Sequence, residues 1–141
     1  MKKMFLSAVL LIATACTKKH DGLLTLEIKN GAGVLKEVNF EISESTIEEI
    51  EKLNINKTEK IDQVIRYSLA YANGYLGVYL NNPSSYDFID DSIGNIYVLG
   101  DTIKITFNFT AQNGFGNKII SKAYIDVYNK NGQKETDIKI E

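Results

Sequence analysis

The sequence IKITFNFT, at residues 103–110, decides the fold class of this chain. Its odd-numbered positions are apolar and its even-numbered positions are polar, which is the period of a β-strand with one buried face. Residues 123–127 repeat this alternation after a glycine-rich turn at 113–117, and Asn131-Gly132 predicts a tight hairpin into a last strand around 138–140. The C-terminal third is therefore predicted to be a three-stranded antiparallel meander.

The N-terminal part of the body shows the same alternation twice. Residues 24–28 and residues 38–42 each place apolar side chains at every second position, and Asn30–Gly33 lies between them as a turn. We predict an N-terminal antiparallel hairpin.

Two helices are predicted after this hairpin. Ser45 and Glu48 have the spacing of a capping box ahead of a short helix through Ile47, Ile50 and Leu53. A second helix is predicted to start at Asn56 or Thr58 and to follow an apolar stripe. The stripe consists of Ile61, Val64, Ile65, Ser68, Leu69 and Ala72.

Asn73-Gly74 is expected to stop the second helix. Residues 75–80 are then expected to form a strand, and residues 82–91, which hold the only proline, a surface loop. This order of elements predicts an α+β domain, an antiparallel sheet with two helices inserted between the N-terminal hairpin and the C-terminal meander.

The first 16 residues have the three-part pattern of an export signal: Lys2 and Lys3, an uncharged run from Met4 to Ala15, and then Cys16. This segment resembles the lipobox of bacterial lipoproteins, in which small residues precede a Cys that is lipidated and becomes the mature amino terminus. Ala13 departs from the commoner Leu of that pattern. The alternative is an ordinary cleaved signal peptide with Cys16 near the cut by chance.

The resemblance implies that residues 1–15 are a lipoprotein signal peptide and that residues 16–22 are lipidated Cys16 and a short polar tether. Residues 23–141 would then be a single globular domain. It also implies a lasting anchor of several acyl chains, since stable anchoring needs more than one. Thr17 stands where an Asp would favour the inner membrane, so the outer membrane is expected in a two-membrane cell. Residues 111–127 also resemble a segment of small uncharacterised bacterial lipoproteins, to which no activity attaches.

The charge of the chain argues against nucleic acid as a partner. Without Lys2 and Lys3, 14 basic residues remain against 18 acidic ones, and binding to nucleic acid relies on Lys and Arg neutralising phosphates. The expected partners are instead the membrane, through the lipid, and an envelope or secreted protein.

Common catalytic side chains are scarce in the sequence. His20 is the only histidine and Cys16 the only cysteine, so the predicted body offers no imidazole for nucleophilic catalysis or for a typical zinc site. We therefore predict no catalytic residue, no cofactor and no metal. Asp87, Asp90 and Asp91 could together present carboxylate oxygens to a hard cation such as calcium, although they lack the spacing of a recognised calcium loop. The alternative is a solvated acidic loop.

Two further patterns concern the surface of the domain. Tyr67, Tyr71, Tyr75 and Tyr79 recur every four residues, but the expected stop at Gly74 makes this alignment accidental and leaves the first two at the rim of the core. Glu37, Glu41, Glu48 and Glu51 are expected to face solvent as one acidic surface for a basic partner, with a simple solubility role as the alternative.

We expect a binding module tethered to the cell envelope. The competing class is a carboxylate-dependent envelope enzyme, which needs at least two acidic groups converging in a concave pocket.

Overall fold

The computed structural model describes residues 17–20, 22–53 and 61–141, which form two α-helices and eight β-strands. The helices are α1 (Glu44–Lys52) and α2 (Ile61–Tyr79). The strands are β1 (Thr17–His20), β2 (Leu23–Lys29), β3 (Leu35–Glu41), β4 (Asp87–Phe88), β5 (Ile93–Leu99), β6 (Thr102–Gln112), β7 (Lys118–Lys130) and β8 (Gln133–Ile140). The expected starts of the second helix, Asn56 and Thr58, lie outside the described residues.

The strands form one sheet in the order β1-β2-β3-β5-β6-β7-β8, with β4 paired to β6. The N-terminal hairpin and the C-terminal meander are both confirmed, and the domain is α+β. One pair departs from the antiparallel prediction, because β3 and β5 run parallel, with Asn39 opposite Ile93. The intervening segment with both helices returns the chain to the end of the sheet where β3 began, which is what a parallel pair requires.

One face of the sheet carries the core. Apolar side chains at alternate strand positions, such as Leu26, Phe40, Ile105 and Ile125, are fully buried together with the inner side of α2. We call the other side of the sheet, which the helices do not cover, the open face. Helix α2 contacts β2 near one end of the strand order and β7 and β8 at the other, so the sheet curves around it.

Helix α1 forms as predicted but begins with a different cap. The hydroxyl of Ser43 accepts a hydrogen bond from the backbone N–H of Thr46 over 3.1 Å, so Ser43, and not Ser45, is the N-cap. The predicted capping box through Ser45 and Glu48 is therefore wrong. The helix starts two residues earlier because strand β3 ends at Glu41 and leaves Ser43 extended, which is the cap conformation.

Helix α2 does not stop at Gly74, and the strand predicted for residues 75–80 does not exist. The helix continues to Tyr79 and buries Ala72 and Leu76 against the core. Glycine in a helix interior costs only about 1 kcal/mol relative to alanine, and burial of a leucine outweighs that cost. Packing against the core therefore overrides the local stop signal.

The segment expected to be a tether contains a strand. Thr17–His20 pairs antiparallel with β2, with Thr17 opposite Leu26 and His20 opposite Leu23. The chain therefore joins the sheet at Thr17. Within the described ranges, none of the helices is both long and apolar enough to cross a membrane. The leader and Cys16 lie outside those ranges.

Residues 82–91 combine a surface loop with short regular pieces. Pro83–Ser85 is one 3-10 turn and Asp87–Phe88 is strand β4, which pairs with β6. Tyr86 and Phe88 are buried, so the segment is partly inside the fold and not a wholly solvated loop.

Candidate functional site

The solvent side of α2 carries an aromatic stripe. Because the helix is continuous, the four tyrosines do align, contrary to the sequence expectation. Their exposed fractions are 57% for Tyr67, 59% for Tyr71, 38% for Tyr75 and 56% for Tyr79, and Val78 beside them is 89% exposed. The rings of Tyr75 and Tyr79 stack, with centroids 5.6 Å apart. We call these five residues the tyrosine face; Tyr67 and Tyr71 belong to this surface and not to the core.

The tyrosine face is uncharged along most of the helix. From Tyr67 to Leu80 the sequence contains no Asp, Glu, Lys or Arg. Gly74 and Gly77 lie in the helix with no atom within 4 Å of the position that a Cβ would occupy, so they leave space next to the rings. Charge appears at the N-terminal end, where the Lys134 ammonium of β8 lies 5.2 Å from the Tyr67 ring centroid.

A second exposed aromatic side chain lies near the C-terminal end of α2. Phe115, in the turn between β6 and β7, is 92% exposed. The end of α2 is tied to this turn, since the Asn82 side chain donates a hydrogen bond of 2.6 Å to Gln112, and Gly114 approaches Asn81. Phe115 therefore lies in a turn that adjoins the C-terminal end of α2.

A recess separates α2 from the end of β2. Strand β1 pairs with residues 23–26, and among the described residues no strand pairs with residues 27–29 on that side of β2. Helix α2 lies along that edge, where the Asn73 side chain donates a hydrogen bond of 3.1 Å to the Lys29 carbonyl. The recess has a volume of about 370 Å³, and Arg66 and Ala70 line its helix side. The chain thus joins the sheet beside the flank of α2 that carries Arg66 and Ala70.

The open face carries a different kind of surface around β5–β8. A shallow depression of about 340 Å³ is lined there by tyrosines and by charges of both signs. The lining side chains include Tyr97, Tyr124, Lys104, Asp126, Asp137 and Lys139. Lys104 donates to Asp126 over 2.5 Å, and Tyr128 donates to Asp137 over 2.9 Å, which raises the pKa of the Tyr128 hydroxyl. The depression is a polar, internally paired surface.

Asp126 and Asp137 face each other directly across β7 and β8. They are the carboxylate pair in a concave surface that an acid/base enzyme would need, and they were not singled out from the sequence. The Asn131-Gly132 turn could have revealed this pair. A two-residue turn there pairs Lys130 with Gln133, and four residues further from the turn on each strand it pairs Asp126 with Asp137.

The four glutamates proposed as one acidic surface lie on two sides of the sheet. Glu37 and Glu41 alternate with the buried Val38 and Phe40, so they project from the open face. Glu48 and Glu51 are also exposed, but they lie on α1, which packs Ile50 into the core on the opposite side. The sheet therefore divides the predicted surface.

The acidic loop binds a lysine of the same chain. Lys36 lies 3.6 Å from a carboxylate oxygen of Asp87 and 3.4 Å from one of Asp90, and these charges raise its pKa. Asn30 donates a further bond of 3.2 Å to Asp87. Asp91, with a positive φ of 62°, shapes the turn. In the described part of the chain, no three His, Cys, Asp or Glu side chains are grouped so that they could hold a metal.

Cys16, the predicted lipid-attachment residue, precedes the first described residue, and His20 lies in β1. No family model, no curated protein and no solved structure matches this chain.

Proposed function

We propose that this protein is a lipid-anchored protein of the cell envelope, held in a membrane by acyl chains on Cys16, and that its folded body is a binding module. The outer membrane is the expected site in a two-membrane cell. The observation that carries the proposal is the position of Cys16. It follows the uncharged run of residues 4–15 and directly precedes Thr17, where the chain joins the sheet.

The open face is the binding surface that we propose for an envelope or secreted protein. Tyr97, Tyr124 and Tyr128 project there among paired charges, and Tyr97 is 43% exposed. Tyrosine gives a large contact area with few rotatable bonds, and its hydroxyl can hydrogen-bond a partner. The Lys104–Asp126 and Tyr128–Asp137 pairs hold the charged groups in place before a partner arrives.

Incorporation of labelled palmitate tests the anchor. Cys16→Ser should abolish the label and release the protein from the membrane fraction, because no other cysteine exists in the sequence. Thr17→Ser, next to it, should keep the label and serves as the matched control. Unchanged labelling of the Cys16→Ser protein would overturn the proposal.

The alternative, a carboxylate-dependent envelope enzyme, would use Asp126 and Asp137. The two carboxylates lie directly opposite each other, which favours the enzyme. Each of them is already bonded, Asp126 to Lys104 and Asp137 to Tyr128, which argues against it. Capture of partners from intact envelopes separates the two classes. Tyr97→Ala together with Tyr124→Ala should lose a captured partner, and Asp126→Asn should keep most of it. An activity lost in Asp126→Asn with capture unchanged would favour the enzyme.

A further inference from the structure

We infer that one end of the sheet contacts the membrane and that the turns at this end enter the lipid surface. This end, which we call the entry end, is formed by the start of β1 at Thr17 and by the turns at residues 30–34 and 113–117. The inference rests on the proposed function, because it takes Cys16 as the anchored residue. It adds the orientation of the body, which an anchor alone does not fix.

Hydrogen bonds hold the two turns at the same end of the molecule. The backbone N–H of Gly31 donates to the carbonyl of Tyr86 over 2.8 Å, and the backbone N–H of Gln112 donates to the Ser85 hydroxyl over 2.8 Å. The strand directions agree, because β3 is antiparallel to β2 and parallel to β5, and β5 is antiparallel to β6. Strands β2 and β6 therefore run in the same direction, and each leads into one of the two turns.

The chain enters the sheet at this same end. Strand β1 is antiparallel to β2, with Thr17 opposite Leu26, so its first residue is the one nearest the turn that follows β2. From Leu26 to Asn30 the chain advances by about 14 Å, at about 3.4 Å per residue. The residue before Thr17 lies only about 3.8 Å from it, measured between Cα atoms. The first turn therefore projects further along the sheet than the point of attachment, and an anchor there brings the turn to the lipid.

The two turns have the chemistry of segments that enter a lipid surface. Neither contains a charged residue, and each presents an apolar side chain to solvent. Val34 is 54% exposed in the first turn, and Phe115 is 92% exposed in the second. Lys29 precedes the first turn and Lys118 follows the second, where their ammonium groups can reach lipid phosphates. Apolar tips with basic flanks fit the boundary between acyl chains and headgroups.

A lipid surface fits the entry end better than a protein partner does. Val34 and Phe115 belong to separate turns, with residues 82–86 between them, whereas a standard protein interface needs about 800 Å² of well-packed surface from each partner. Residues 17–20 are already paired in the sheet, so they leave no slack between the anchor and the body. A second copy or another protein at this end would have to fit between the body and the bilayer that holds it.

Tryptophan reporters test this orientation, because the sequence contains no tryptophan. The variants V34W and F115W place one reporter in each turn, and Y71W places one on the solvent side of α2. The lipidated proteins are purified and reconstituted into vesicles of phosphatidylethanolamine and phosphatidylglycerol, with or without brominated acyl chains. All three sites are exposed, so the substitutions should leave the fold intact, which circular dichroism checks.

We expect the emission of V34W and F115W to shift to the blue on reconstitution and to be quenched by brominated lipid. Emission of Y71W should stay that of a water-exposed indole, because Tyr71 lies about 12 Å back from the end of α2 that adjoins the second turn. Water-like emission from both turns in protein that floats with the vesicles would overturn the inference and leave the anchor standing. Quenching of Y71W in place of the turns would overturn it as well, and would put the side of α2 on the lipid.

Two further outcomes are distinct from these. Emission from the turn reporters that shifts to the blue only as the protein-to-lipid ratio rises, without quenching by brominated lipid, would overturn the membrane contact and indicate self-association. Protein that fails to float would overturn the proposed anchor and the inference with it.

Discussion

The hydroxyl of Tyr86 donates a hydrogen bond of 2.9 Å to the side-chain oxygen of Asn73. The amide of the same asparagine donates to the carbonyl of Lys29, so one side chain of α2 joins the loop before β4 to the end of β2. The Asn73-Gly74 pair is typical of a helix stop. The position of Asn73 inside the helix instead makes it a structural link.

Removing this link should weaken the fold. Tyr86→Phe keeps the buried ring among Phe88 and Phe109 but removes the hydroxyl, so we expect unfolding free energy to fall by about 0.5–1.5 kcal/mol. Urea denaturation measures the change. Tyr97→Phe, at an exposed site, is the control and should stay within about 0.5 kcal/mol of the parent. Equal stabilities of the two variants would contradict the assigned role.

Alkaline pH should destabilise the folded protein through Tyr86. Burial raises the pKa of the Tyr86 hydroxyl well above its ordinary value of 10.0. Above pH 10 the unfolded chain loses this proton while the folded protein keeps it, so stability is present below that pH and falls as the pH rises. A single group of this kind lowers the unfolding free energy by about 1.4 kcal/mol per pH unit.

The Tyr86→Phe variant isolates this effect, because the other groups titrate in both proteins. Stability measured from pH 9 upwards should decline less steeply in the variant than in the parent. Parallel curves would show that Tyr86 ionises alike in both states.

Replacing either of the two glycines inside α2 with alanine should stabilise the protein. Gly74→Ala and Gly77→Ala place a methyl group in open space at helical positions, and each should stabilise the protein by about 0.4–1 kcal/mol. Gly100→Ala and Gly116→Ala are matched controls, since they too have open space but positive φ angles of 65° and 81°. Thermal unfolding should rank the helix variants above the parent and the controls below it.

Gly94 should tolerate no side chain. A Cβ there would lie 2.6 Å from the Phe40 ring and 2.7 Å from the carbonyl oxygen of Thr106, where β3, β5 and β6 meet. We expect Gly94→Ala to destabilise the fold by about 1–3 kcal/mol. Denaturant unfolding checks this, and a loss below about 0.5 kcal/mol would mean that the strands move apart readily.

The sequence predicted best where local pattern and burial agree. The alternation in residues 103–110 and the Asn131-Gly132 turn predicted β6 and the β7–β8 hairpin because one face of each strand is buried. Prediction failed at Gly74, where the contacts of Leu76 with the core extend the helix beyond a local stop. Strand β5 was not predicted, since one of its two buried residues is Gly94, which has no apolar side chain to show the alternation.

Features that join distant parts of the chain were the least predictable. The parallel pairing of β3 with β5 depends on how residues 42–92 fold back, and no pattern within either strand encodes it. The tyrosine face forms only because α2 continues through Gly74 to Tyr79. Asp126 and Asp137 could have been found, because the hairpin fixes their register. Strand alternation and helix phase correctly predicted that Glu37, Glu41, Glu48 and Glu51 are exposed, but these local patterns do not tell on which side of the sheet the helix lies.

The parallel pair also sets an order of folding. Strands β5 to β8 follow one another through short turns, whereas β3 reaches β5 only after residues 42–92 have closed a long loop. Loop closure slows folding as the separation of the contacting residues grows. The C-terminal meander should therefore assemble first and the β1–β3 unit dock last. The unit nearest the proposed anchor would then be the first to open in the native protein, with faster amide exchange in β2 and β3 than in β6 and β7.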